Sequence, residues 1–345
     1  MRWQSAWPAR DIFHEYALDF AKKVGDMTGG ELRIEMLPAQ AVVPAFGLLE
    51  AVSKGALDGS HGLLSHHYVK HPALALWSSG PGFGMDANTL LAWHKYGGGK
   101  QLLARIYEAI GANVVPFLYG AMPTQPLGWF KKRITKPADL RGLTLRVVGA
   151  SPELFAGLGA KVSAVTAREW ASSPDGGTPE LDGVEFNNPT SDRGLGLPRI
   201  GKVYMMQSYH QNTEQFEILF NKPKFDALPP KLRAVIENAA EAASADMSWK
   251  AIDRYSKDYA EMQAKDRVQS FRTPDAVLRK QIEAHEAAAR KRRSDPLFRE
   301  VEESQRRFAR RAVRWYLDTQ VSPRLAYDHY FGRKPAARRP AKRRK

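Results

Sequence analysis

In the first sixty residues, stretches with hydrophobic positions every second residue alternate with stretches in which they recur every three or four residues. Polar and apolar side chains alternate from Arg2 to Trp7, which predicts a strand. Apolar residues then recur every three or four positions from Ile12 to Asp26, which predicts a helix that ends at Gly29-Gly30. The same succession returns with a strand from Leu32 to Met36 and a helix from Pro44 to Gly55. This order predicts a parallel sheet with helices on its faces.

A short motif occurs once in each half of the chain. Leu57-Asp58-Gly59 and Leu181-Asp182-Gly183 each connect the end of a helical pattern to a strand pattern. The tripeptide is common, so chance is one explanation. Equivalent placement in two halves favours two similar α/β lobes, and a cleft between lobes is where small ligands usually bind.

The last third of the chain has helical periodicity almost throughout. It predicts three long helices, over Lys231 to Asp258, Pro274 to Arg293 and Pro296 to Leu317. Before them, the pattern predicts a strand around Gln125 to Phe130 and another from Glu214 to Phe220.

Charge and composition narrow the function classes. The chain has 345 residues, 43% of them hydrophobic, and a net charge of +15, of which the last thirteen residues carry eight positive charges and no acid. We interpret 333–345 as a disordered basic tail that attracts polyanions without sequence choice, so no specific nucleic-acid partner is predicted. The absence of cysteine excludes thiol catalysis and cysteine-ligated metals. Neither a signal peptide nor a membrane-spanning apolar run is recognisable in the chain as it stands.

Arg146 is the most informative single residue. It lies in the apolar extended run Leu143 to Gly149, where a permanent cation requires an anion. A guanidinium matches a carboxylate in two-point geometry, which predicts a small carboxylic acid as the guest. The alternative is an internal acid, and Glu185 is the candidate.

Oxygen-bearing side chains gather at two predicted strand ends. One group follows Asp182 and stops at Pro189, and the other precedes the strand that begins near Gln215. Oxygen atoms suit a hard cation such as Ca²⁺ or Na⁺ better than zinc or copper. The candidate ligands are the side chains of Gln125, Glu185 and Gln211 and an exposed backbone carbonyl near Phe186. In the alternative, Glu185 only pairs with Arg146 and the amides only cap backbone groups.

Three stretches together resemble a known family. They are Leu140 to Gly149 with Arg146, Leu181 to Pro189, and Ser208 to Gln211, within a similarity that runs from Arg2 to Gly332. The chain resembles the extracytoplasmic solute-binding subunits of TRAP transporters, in particular those that bind 2-oxo and 2-hydroxy monocarboxylates such as pyruvate and lactate.

The resemblance implies a fold class and a division of the chain. The fold is α/β, two-lobed and like that of periplasmic binding proteins, with parallel or mixed sheets, a cleft between the lobes and long C-terminal helices. The expected division is mainly lobe 1 in 1–123, mainly lobe 2 in 124–220, helices that pack on and cross between the lobes in 221–332, and the tail in 333–345.

The resemblance also implies roles for single residues, in a protein that makes and breaks no bond. Arg146 would hold the ligand carboxylate, while Gln125, Glu185, the Phe186 carbonyl and Gln211 would bind a Ca²⁺ or Na⁺ ion that bridges to the ligand. Weaker candidates for polar ligand contacts are Tyr68 and Asn187. The implied partners are the TRAP membrane permease and a second copy joined through the C-terminal helices, and the implied location is the periplasm.

The chain departs from the family pattern at one internal segment. Between Val165 and Leu181 the family usually has a turn and a helix, whereas Pro174, Gly176, Gly177 and Pro179 predict a loop here. A second function class stays open beside transport: a metal-assisted enzyme that acts on a 2-oxo acid, with His210 as the base.

Overall fold

The computed structural model describes residues 1–147, 151–163 and 181–332. The segment with the atypical composition and the basic tail lie outside the described residues. The strands are β1 (Arg2–Ser5), β2 (Glu35–Leu37), β3 (Gly59–Leu63), β4 (Val114–Ala121), β5 (Gly128–Phe130), β6 (Thr144–Arg146), β7 (Lys161–Ser163), β8 (Gly183–Val184), β9 (Val203–Met206), β10 (Gln215–Asn221) and β11 (Gln269–Arg272). The helices are α1 (Ile12–Met27), α2 (Leu48–Ser53), α3 (Ala87–Tyr96), α4 (Gly99–Ala109), α5 (Ser151–Gly157), α6 (Pro189–Leu195), α7 (Leu197–Ile200), α8 (Lys222–Asp226), α9 (Pro230–Ala264), α10 (Asp275–Arg292), α11 (Pro296–Thr319) and α12 (Pro323–Phe331).

The first lobe is built on a mixed sheet with the strand order β2-β1-β3-β10-β4. Strands β1, β2 and β3 run parallel, as the sequence predicts, and β10 inserts antiparallel between β3 and β4. Every residue of β10 is buried because helices cover both faces of the sheet. Large aromatic side chains fill this core, with Trp3 packed edge-on against Phe220 at 4.4 Å between ring centroids.

The second lobe has the strand order β11-β9-β5-β8-β6-β7. Its strands are short, and side chains alternate strictly between two separate apolar clusters on the two faces. Trp129 and Tyr204 stack on one face at 4.2 Å, while Phe130 and Met205 lie in the cluster on the other.

The repeated Leu-Asp-Gly motif has the same structural role in both lobes. The amide of Asp58 donates to the carbonyl of Arg2 and its carboxylate accepts from the Arg2 amide, at 2.9 and 2.6 Å. Asp182 makes the same reciprocal pair with Thr144, at 2.8 and 2.9 Å. A Cβ on Gly59 would lie 2.3 Å from the Trp3 ring, and one on Gly183 would lie 2.8 Å from the Phe130 ring, so each glycine admits an aromatic side chain. The motif therefore begins the central strand of each lobe by the same contacts.

The chain crosses between the lobes at 122–127, at 207–214 and through α9. Helix α9 packs against α1 and β4 of the first lobe and against α6 of the second. After it, β11 joins the second sheet, α10 packs on α5, and α11 returns to α3 and α4 of the first lobe. The three long C-terminal helices match the sequence pattern, which did not predict β11 or α12. Strand β10 belongs to the first sheet, so the second-lobe part of 124–220 ends before it. None of the helices in the described part of the chain is both long and apolar enough to cross a bilayer.

Candidate functional site

A narrow cavity lies where the two lobes and the crossing segments meet. It is lined by residues from α1, from both crossing segments, from the start of α6 and from α9: Phe13, Met122, Pro123, Gln125, Asn187, Asn188, Gln211, Glu214 and Tyr255. Three of the residues predicted from the sequence, Gln125, Asn187 and Gln211, therefore share one cavity although they are far apart in the chain.

The two crossing segments are joined at the predicted ligand positions. The Gln125 amide donates to the carbonyl of Gln211 at 3.3 Å. The Gly80 amide of the first lobe donates to the carbonyl of His210 at 3.3 Å. Gln211 thus lies between the lobes, in contact with both.

Glu185 follows β8 and is held by the strand beside it. Its amide donates to the carbonyl of Arg146 at 2.9 Å, which continues the parallel pairing of β6 with β8. Its side chain is 2% exposed, and its Oε1 accepts a hydrogen bond from the side-chain amide of Gln125. Gln125 and Glu185, two of the cation ligands predicted from the sequence, are therefore in direct contact.

Arg146 ends β6 and its side chain is buried. Its Nη1 donates to the backbone carbonyl of Glu185 at 2.8 Å and lies 3.8 Å from the Glu185 Oε2. Burial lowers the pKa of Arg146, and the Glu185 carboxylate partly opposes that shift. The internal partner that the sequence left open is thus Glu185, although the ion pair is long. Arg146, Glu185 and Phe186 stand behind the residues that line the cavity.

The buried oxygens fit a hard cation. Glu185 Oε2 and Gln211 Oε1 are both buried, and neither has a hydrogen-bond donor among the described residues. A buried acceptor without a donor is costly, and a cation satisfies it. Carboxylate and amide oxygens are the ligands that Ca²⁺ and Na⁺ take rather than zinc. Within the described ranges, no group of three or more histidines and acids is arranged to hold a metal.

A buried carboxylate shapes the loop that carries Asn187. Asp192 Oδ1 accepts from the amides of Asn187 and Asn188, both at 3.2 Å. Its Oδ2 accepts from Trp129 Nε1 at 2.8 Å and from the Tyr204 hydroxyl at 2.9 Å. Burial raises the pKa of Asp192 to about 7. The sequence did not assign Asp192 any role, since two of its partners, Trp129 and Tyr204, come from the distant strands β5 and β9.

Glu214 is a second site acid that the sequence interpretation missed. It precedes β10, is 6% exposed and lines the cavity. Its Oε1 accepts from the Ser65 hydroxyl at 2.7 Å, and its carboxylate accepts from the Gln211 side chain. Burial raises the pKa of Glu214 to about 8, and the Glu185 carboxylate adds to the shift. The only sequence signal was an acid at the start of an otherwise apolar strand.

Tyr68 and His210 are placed near the site but not on its wall. Tyr68 follows the 3₁₀ helix Leu64–His67 and is half-buried. His210 is fully buried, with Nδ1 2.6 Å from the Ser208 hydroxyl and Nε2 3.6 Å from Glu185 Oε1. Neither residue is among those that line the cavity.

Comparison with known proteins gives consistent matches. The chain is 31% identical over 250 residues to a monocarboxylate 2-oxoacid-binding periplasmic protein of Nostoc, an alignment that covers 72% of this chain and 67% of the relative. A TRAP periplasmic solute-binding protein of Colwellia psychrerythraea with bound calcium and pyruvate superposes with a TM-score of 0.85 at 25% identity, over 96% of this chain and 98% of the other. A protein of the same kind from Pseudoalteromonas atlantica with bound sodium and pyruvate gives a TM-score of 0.84 at 23% identity, over 96% and 98%.

These matches confirm the α/β fold with two mixed sheets that the sequence predicts, and the resemblance to TRAP solute-binding proteins. The family is extracytoplasmic, and it supplies solutes to transporters. Since the model of the DctP family, the bacterial extracellular solute-binding proteins of family 7, matches residues 4–294, the chain belongs to this family of TRAP solute-binding proteins.

Proposed function

We propose that this protein binds a small 2-oxo or 2-hydroxy monocarboxylate of the pyruvate and lactate type, together with Ca²⁺ or Na⁺, and delivers it to a TRAP permease. One observation carries the proposal: the buried Arg146 lies beside Glu185, whose buried Oε2, like the Gln211 Oε1, has no hydrogen-bond donor among the described residues. The Nostoc relative and the pyruvate-bound structures support the same ligand class.

The proposed roles follow from charge and geometry. Arg146 binds the ligand carboxylate, because its buried guanidinium matches a carboxylate in two-point geometry. Gln125, Glu185, Gln211 and the Phe186 carbonyl hold the cation, which the adjacent carboxylate and 2-oxo oxygens of the ligand chelate. The remaining polar contacts come from Asn187 on the cavity wall and Tyr68 near it. A fatty acid has no 2-oxo oxygen and loses the chelate.

Calorimetry tests the ligand and the cation together, after dialysis against potassium EDTA and then against a buffer without EDTA, Ca²⁺ or Na⁺. We expect pyruvate to bind about tenfold or more tightly when Ca²⁺ or Na⁺ is restored, because the chelated ion contributes to its binding. Propionate, which has the same size and charge but no 2-oxo group, is the matched control. Equal affinity for pyruvate and propionate, or pyruvate binding that ignores both cations, contradicts the proposal.

The alternative function is a metal-assisted enzyme that acts on a 2-oxo acid in the same cleft, with His210 as the base. The Nε2 of His210 points to the Glu185 carboxylate and not into the cavity, which supports binding without turnover. Proton NMR of pyruvate after long incubation with stoichiometric protein and Ca²⁺ distinguishes the two functions. We expect unchanged pyruvate, and conversion that His210→Ala abolishes would establish the enzyme.

Transport requires two lobes that move and a location outside the cytoplasm. We propose that the first lobe, mainly 1–123 with β10, and the second lobe, mainly the part of 124–220 before β10, close on the ligand in the periplasm, with α9 as a link between them. Small-angle scattering checks the motion: saturating pyruvate and Ca²⁺ should reduce the radius of gyration. An unchanged scattering curve argues against closure.

The C-terminal helices support a homodimer as a second proposal. All described residues of α12 are exposed, including Leu325, Tyr327 and Phe331, and Trp315 and Leu317 of α11 are 60% and 74% exposed. A nine-residue helix with no contact face is not stable alone, so an apolar partner is required. A second copy offers the same apolar face, which satisfies two-fold symmetry.

Light scattering during gel filtration tests the dimer. We expect the full chain to elute with twice the mass of one protomer, and a chain truncated after Gln320 to be more monomeric. The substitution of Arg324 by alanine on the same helix serves as the control, because its side chain pairs with Asp328 within the helix. A monomeric full chain contradicts the proposal.

A further inference from the structure

We propose that Glu214 is a cation-selecting residue, a second carboxylate that the first lobe contributes to the site and that favours Ca²⁺ over Na⁺. The inference rests on the proposed function and deepens it. The cation ligands implied by the family resemblance are Gln125, Glu185, the Phe186 carbonyl and Gln211, so Glu214 lies outside that set.

The position of Glu214 supports a direct role. It lines the same cavity as Gln125 and Gln211, and its carboxylate contacts the Gln211 side chain. Ser65 donates to only one of its two oxygens, and so orients the carboxylate without exhausting its lone pairs. Ser65 and the start of β10 both belong to the first lobe. A cation that contacts both Glu185 and Glu214 is therefore held by both lobes at once.

Charge balance then determines which cation is preferred. Among the described residues, the site has one arginine, Arg146, and two acids, Glu185 and Glu214, and the ligand adds a third negative charge. The sum is two negative charges when both acids are ionised. Buried charge without compensation is costly, so the arrangement requires a divalent ion. If Glu214 were an amide, the sum would be one negative charge, which Na⁺ balances.

The experiment compares Ca²⁺ and Na⁺ affinities by calorimetry at saturating pyruvate. For Glu214→Gln we expect Ca²⁺ affinity to fall about tenfold or more while Na⁺ affinity is kept or increased, because ligand charge tunes calcium binding. The substitution keeps the shape of the side chain, removes its charge and replaces one carboxylate oxygen by an NH₂ group. If the variant bound Ca²⁺ as tightly as the parent does, and Na⁺ as tightly as the parent does, the inference would be overturned.

Glu217→Gln is the matched control. Glu217 lies on the same strand, is 1% exposed, and binds the Tyr107 hydroxyl away from the cavity. We expect its Ca²⁺ to Na⁺ affinity ratio to equal that of the parent. A ratio that falls equally in both variants would show a general effect of removing a buried acid, and the inference would fail.

The parent protein gives a test that no folding defect of a variant can obscure. At saturating pyruvate it should bind Ca²⁺ at least about a hundredfold more tightly than Na⁺. Equal affinities overturn the inference while leaving the proposed function intact. Absence of pyruvate binding with either ion is the separate result that refutes the proposed function itself.

Discussion

The two lobes share a topological motif but are stabilised differently. In the first lobe, β10 and its neighbour β4 have seven and eight residues, and one continuous aromatic core surrounds them. The strands of the second lobe have two to four residues, and its core is divided between two faces. Strand pairing contributes less there, and the buried side chain of Asp192 satisfies backbone groups instead.

The two lobes also differ in the polar residues that they contribute to the binding site. Arg146 and Glu185 leave short strands of the second lobe and meet at its edge, whereas the first lobe presents mainly apolar walls and one acid, Glu214. The second lobe should therefore be sensitive to the loss of single polar groups.

The largest expected effect is on ligand affinity. Arg146→Ala should weaken pyruvate binding by about a hundredfold or more, since a charge-assisted two-point hydrogen bond in a closed cleft contributes roughly 3 kcal/mol. Arg146→Lys should also bind poorly, because an ammonium does not match the carboxylate in two-point geometry. Calorimetry with Ca²⁺ present measures both.

The control for Arg146 is Arg199→Ala, which removes an exposed arginine of the same lobe. It should bind pyruvate like the parent. If Arg146→Ala bound pyruvate normally, the placement of the ligand anchor in the second lobe would be wrong.

The second effect is on stability. Asp192→Ala should lower the free energy of unfolding by about 3 kcal/mol, because four buried donors from Trp129, Tyr204, Asn187 and Asn188 lose their acceptor. Urea unfolding followed by tryptophan fluorescence measures it. A loss below about 1 kcal/mol would show that packing, as in the first lobe, dominates here as well.

Asp139→Ala is the matched control for Asp192. Its carboxylate also accepts several local hydrogen bonds, from Thr135 and Lys136, but near the surface of the same lobe. Water replaces such bonds, so the change should be clearly smaller.

The third effect is the pH dependence of stability. The pKa of Asp192 is raised to about 7 in the fold, above the roughly 3.9 of an unfolded aspartate. The folded protein therefore binds more protons between these values, and its free energy of unfolding should fall as pH rises from about 4 to 7. Asp192→Asn should flatten the curve in that window, as measured by urea unfolding at each pH. A parent curve that rises there would contradict the assignment.

The sequence predicts the frame and part of the site. Glu185 follows β8 and Gln125 precedes β5, which runs antiparallel beside β8, so the two residues lie at one edge of the second sheet. Gln211 joins them from the other crossing segment, where its carbonyl accepts from the Gln125 amide. Glu214 was missed because its burial depends on Ser65, 149 residues earlier in the chain. Likewise Asp192 gains its role only when Trp129 and Tyr204 enclose it. Such roles depend on long-range packing, which no local pattern encodes.

The smallest effect tests the repeated motif itself. Asp58→Ala and Asp182→Ala should each lower the free energy of unfolding by about 1 kcal/mol, since each removes one acceptor from a neighbouring strand amide. Their effects on binding should differ: Asp182 begins the strand that carries Glu185, so its loss should weaken pyruvate affinity a few-fold, while Asp58 is remote from the site. Calorimetry and urea unfolding on both variants measure the pair. If the two variants bound pyruvate with equal affinity, the strand ends of the second lobe would be held in place without the motif. The two lobes would then respond alike to its loss.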